Sequence, residues 1–94
     1  MNRYVIERVM PGAGWLSSEQ IQAASQISNR ALSEMGAGIQ WVQSHVTADR
    51  LYCVYLAANE ELIREHARRS GLPANTISKV YRIIDPQTAA TDAL

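Results

Sequence analysis

RLYCVYLAANEELIREHARRSG, residues 50–71, decides the fold. Its opening segment, 50–57, is apolar and aromatic, the composition of a strand. Asn59 then offers an N-cap. Glu60 and Glu61 fall in the first helical turn and Arg68 and Arg69 in the last, matching the helix dipole. Glu60–Arg64 and Glu65–Arg69 form i,i+4 pairs on the wet side. Leu62, Ile63, His66, Ala67 and Ser70 form the buried stripe, and Gly71 ends the helix. The strand holds the single cysteine, Cys53, and the helix one of two histidines.

Upstream, IQWVQSHVT (39–47) reads as a strand, with Trp41, Gln43 and His45 on one face and Val42, Ser44 and Val46 on the other. Ala48-Asp49 turns it into the strand at 50–57, so 39–57 is a hairpin. Ser17 and Gln20 make a capping box, with Leu16 and Ile21 at the staple positions. Ile21, Ala24, Ile27/Ser28, Ala31 and Met35 recur at helical spacing up to Gly36, which predicts a helix over 18–35. RYVIERVM (3–10) reads as a strand that stops at Pro11-Gly12. Its faces are Val5, Glu7, Val9 and Tyr4, Ile6, Arg8. Neither is cleanly polar, so the strand is expected at the sheet centre. Downstream, TISKVYRII (76–84) reads as the last strand.

The order β-α-β-β-α-β predicts an α+β, ferredoxin-like domain over 1–86, a four-stranded antiparallel sheet with both helices on one face. Residues 87–94 read as a tail, or as an arm lying on a partner subunit. Two helices cover one face only, yet segment 50–57 is apolar on both: Leu51, Cys53, Tyr55 and Ala57 on one side, Tyr52, Val54 and Leu56 on the other. An uncovered apolar sheet face predicts a homodimer that packs sheet on sheet, a dimeric α+β barrel.

Composition narrows the function. Nine basic and nine acidic residues leave no net charge in 94 residues, which argues against a nucleic-acid binder. One cysteine gives no internal disulfide. No apolar run is long enough for a bilayer, and the N-terminus lacks a signal-peptide core, so the expectation is a cytoplasmic protein without membrane partners.

Three residues carry chemistry. A carboxylate between Val5 and Val9 on a central strand needs a partner if buried. If the face shared by Glu7 and Cys53 is the covered one, His66 looks down on both. Thiolate, imidazole and carboxylate suit a divalent transition metal such as nickel, zinc or copper. Gln43 and His45 are additional or outer groups. The same residues allow a plain Glu7–His66 hydrogen bond with Cys53 as filler. They also allow a cysteine–histidine nucleophile, or a Glu7–His66 acid–base pair around a small molecule walled by Trp41, Tyr52 and Tyr55.

YCVY (52–55), IREHARRSGLPANTIS (63–78) and IDPQT (84–88) resemble a family of small bacterial domains of unassigned function. VIERVMPG (5–12) and GIQWVQSHVT (38–47) fit as well. One branch of that family is a dimeric nickel-binding protein with a ferredoxin-like fold. The resemblance implies that Cys53 and His66 stand at metal-ligand positions. It places Glu7 where that branch has histidine, and Gln43 where relatives often have histidine or glutamate.

Overall fold

The computed structural model describes residues 1–90; the last four residues of the 87–94 tail lie outside the described residues. The elements are β1 (Asn2–Val9), α1 (Ser18–Met35), β2 (Ile39–Val46), β3 (Arg50–Ala57), α2 (Glu60–Ser70) and β4 (Thr76–Lys79). The strands form one sheet in the order β2-β3-β1-β4, every neighbouring pair antiparallel. This is the α+β ferredoxin-like arrangement, with β1 and β3 at the centre.

Local sequence sets the helix ends. The Ser17 hydroxyl accepts from Gln20 N at 3.1 Å, and the Gln20 side chain accepts from Ser17 N at 2.9 Å. Two amides that the helix itself leaves orphaned are thereby satisfied. Asn59 does the same for α2 through Leu62 N at 3.1 Å. Gly71 follows α2 at φ 75°, a left-handed conformation that costs glycine nothing.

The core lies between the helices and one sheet face. Tyr4, Ile6, Cys53, Tyr55, Ala57 and Ile63 are buried there. Full burial of Ile6 and Ile63 contributes about 1.5–3 kcal/mol each. The opposite, open face carries Val5, Tyr52, Val54 and Leu56, all half-buried. The Tyr52, Val54 and Leu56 set thus falls on one face, as the alternation of the strand requires.

Three expectations need correction. First, Glu7 and Cys53 do not share a face. β1 pairs Ile6 with Cys53 and Glu7 with Tyr52, and directly opposed residues project to the same side. The covered set of β1 is Tyr4, Ile6 and Arg8.

Second, a bulge between Trp41 and Gln43 breaks the alternation of β2. Trp41 opposes Tyr55 on the covered side, while Gln43 and His45 oppose Val54 and Tyr52 on the open side. One extra residue reverses every side chain beyond it.

Third, the last strand ends at Lys79, not at 84. Tyr4 pairs with Lys79, and Val80 N donates to Arg3 O at 2.9 Å as the segment leaves the sheet. Beyond it Tyr81, Ile83 and Ile84 are exposed, and Pro86–Ala90 form a short 3-10 turn.

Candidate functional site

The sheet separates the residues singled out from the sequence into two groups. Cys53, His66, Trp41 and Tyr55 belong to the covered side; Glu7, Gln43, His45 and Tyr52 belong to the open side.

On the covered side His66 is fully buried. The α2 stripe delivers it onto Tyr55, with ring centroids 5.2 Å apart. Its Nε2 lies 3.1 Å from Ser28 Oγ and 3.4 Å from Ser28 O. The carbonyl can only accept, so the tautomer with hydrogen on Nε2 serves both contacts. Nδ1 is then a buried lone pair without a partner. Burial pushes the His66 pKa below the ordinary histidine range, and the positive charge of Arg8 pushes the same way. The ring is held neutral.

Arg8 is the residue that sequence reasoning missed. It is fully buried, yet charged. Its Nη1 donates to Pro73 O at 2.7 Å and, at a longer 3.4 Å, to Leu72 O. Its Nη2 reaches the Tyr55 hydroxyl at 3.4 Å, and the guanidinium stands 5.9 Å from the Tyr55 ring centre. Burial raises the Tyr55 pKa, and Arg8 opposes that rise. Two carbonyls of the α2–β4 connector thus offset part of the cost of burying this charge, while Arg8 Nε is buried without a partner. Ser28 stands at a stripe position of α1 that the helical spacing marks, and its role as the partner of His66 is what the sequence does not show.

A cleft of about 150 Å³ opens beside this cluster, between the first half of α1 and the β2–β3 end of the sheet. Cys53, Ser28, Trp41 and Tyr55 reach it; His66 is not among its lining residues.

On the open side Glu7, Tyr52 and His45 occupy one row across β1, β3 and β2. Arg50 pairs with Glu7 at 2.5 Å, half in water, and Tyr52 makes a long 3.4 Å contact to the same carboxylate oxygen. Gln43 Nε2 lies 3.3 Å from His45 Nε2.

Neither side closes a metal centre within one chain. Among the described residues no three His, Cys, Asp or Glu side chains gather to hold an ion. The orphan Nδ1 of His66 is a single donor in an apolar core, with Glu7 on the far side of the sheet. The Glu7–His66 acid–base pair is likewise not assembled. The open face has water-accessible donors, but too few. No helix among the described residues is long and apolar enough to cross a membrane.

Among curated proteins none matches the chain. A crystal structure with a similar fold is that of SCO4226 from Streptomyces coelicolor A3(2), at TM-score 0.72 and 19% identity, over 87% of this chain and 99% of that one. At that identity the likeness supports the fold. Residues 4–80 match the model of the family described as nickel responsive protein SCO4226-like, and the chain belongs to that family.

Proposed function

We propose that this protein is a homodimer that takes up nickel, or a similar divalent ion, on its open sheet face. The observation that carries the reading is the row of His45, Tyr52 and Glu7 on that face, within water's reach. Imidazole and carboxylate donors suit nickel, copper and zinc, and the family's nickel response selects among them. One chain offers too few donors. Two open faces packed around a two-fold axis would present each donor twice, completing a site that neither copy holds alone.

Other features favour the dimer. Val5, Val54 and Leu56 stand beside the same row, and the segment after β4 carries exposed Tyr81, Ile83 and Ile84. Apolar surface of this kind is what sheet-on-sheet packing covers. On this reading Cys53 and His66 serve the core rather than the ion. The thiol is buried, and Nε2 of the ring is already engaged with Ser28.

Calorimetric titration with Ni²⁺, alongside sedimentation, tests both halves. Wild-type protein is expected to sediment as a dimer and to bind Ni²⁺ saturably. His45→Ala should lose most of the binding heat without unfolding, while Cys53→Ser should keep it. A stable monomer at micromolar concentration, or undiminished binding by His45→Ala, would overturn the reading.

A further inference from the structure

We infer that the cleft beneath the first half of α1 is a binding site for a neutral, apolar molecule about the size of one aromatic ring. Its size sets the scale of the part that can be enclosed. About 150 Å³ is the volume at which a dry apolar cavity admits benzene. It falls well below the roughly 300 Å³ at which pockets for drug-sized ligands begin.

The lining sets the chemistry. Ile21, Ala24, Leu51 and Cys53 supply aliphatic and thiol surface, Trp41 and Tyr55 supply aromatic walls, and none of the lining residues is charged. Three serines reach the cleft, and each hydroxyl already makes one bond to the protein. Ser28 Oγ meets His66 Nε2 at 3.1 Å, Ser44 Oγ accepts from Trp41 Nε1 at 2.9 Å, and Ser25 Oγ donates to Ile21 O at 2.9 Å. A resident water needs two to four polar partners. The lining is mostly apolar, so a water finds few partners there, whereas an apolar guest needs none. A charged guest would find no counter-charge among the lining residues.

The gap is held by the fold, not left by loose packing. Gly14 N donates to Ala48 O at 2.9 Å, and Met10 N donates to Asp49 O at 2.9 Å. A Cβ on Gly14 would meet Ala48 Cα at 3.0 Å, so the chain before α1 lies hard against the hairpin loop. That contact fixes where α1 begins. Along its 18 residues only Ser28 and Ala31 are buried, both in the second half. Ile21 and Ala24 therefore face the cleft instead of closing onto the sheet. The Trp41 indole is anchored at one edge by its hydrogen bond to Ser44. The site is preformed, which lowers the cost of filling it.

Nuclear magnetic resonance tests this with benzene as the probe and benzoate as the charged control. The chain has two tryptophans. The Trp41 indole N–H should shift saturably with benzene and stay in place with benzoate. Trp15, which is 89% exposed, should stay in place with both. The thermal midpoint should rise with benzene. Ala24→Leu, which fills the cleft, should stay folded and lose both responses. Absence of a saturable Trp41 shift up to the solubility of benzene would overturn the inference. So would an equal shift in folded Ala24→Leu protein, or an equal response to benzoate. Nickel takes no part in these measurements, so their outcome is separate from that of the metal reading.

Discussion

Arg8 and Glu7 are neighbours in sequence and meet opposite environments. Strand alternation sends the Arg8 guanidinium into the covered side, where it is fully buried against the carbonyls of Leu72 and Pro73. It sends the Glu7 carboxylate to the open side, where it shares partial solvent with Arg50. The two faces of one sheet therefore use polar groups differently. Covered polar side chains bond to groups inside the core, though Arg8 Nε and His66 Nδ1 lack partners, so removing one leaves a buried group unmet. Open polar groups are paired in partial contact with water, where screening makes each pair weak and replaceable.

The sharpest way to break this contrast is substitution at both sites. Arg8→Ala should cost about 3 kcal/mol or more in a urea melt, since it strips partners from two connector carbonyls and Tyr55 and leaves a cavity. A loss below about 1 kcal/mol would mean that the covered cluster is not a structural unit.

Next in size is the response to acid. His66 has its pKa lowered on folding by burial first and by Arg8 second. The unfolded chain therefore binds the proton more readily. The stability tied to this group is complete above about pH 6.5, the unfolded value, and is lost as pH falls toward the lower folded value. Stability rises with pH inside that window, with a slope of at most about 1.4 kcal/mol per pH unit for one proton. Wild-type melts at stepped pH should show it, and His66→Gln should flatten it. A slope that survives in His66→Gln would place the acid sensitivity elsewhere.

The smallest effect belongs to the open face. Glu7→Gln breaks the half-exposed pair with Arg50 and should change stability by less than about 1 kcal/mol. A larger loss would show Glu7 carrying structure rather than standing free.

The uneven legibility of the chain follows the same contrast. Helix limits were readable because caps are local: Ser17 with Gln20, Asn59, Gly36 and Gly71 each act within a turn of their element. The inward stripe of α2 was readable because period 3.6 singles out Ile63 and His66. The facing of β1 was not, because both of its faces carry a charge among apolar residues. What distinguishes Arg8 from Glu7 is a set of carbonyls more than sixty residues away. The bulge at Trp41 and Gln43 leaves no mark on composition, yet it moves Gln43 and His45 away from Trp41. The end of β4 at Lys79 leaves no mark in the apolar run of 76–84, because pairing with β1 and not composition defines the strand. The candidate ligands were thus readable as residue types and not as a set.

The chain has two histidines, and the sheet places one on each side: His45 on the open face, His66 in the covered core. Ring signals of both, followed by nuclear magnetic resonance during a substoichiometric Ni²⁺ titration, separate the two faces in one experiment. The His45 ring should broaden at the first additions while the His66 ring keeps its line width. Broadening of His66 ahead of His45 would contradict the account and place the ion in the core.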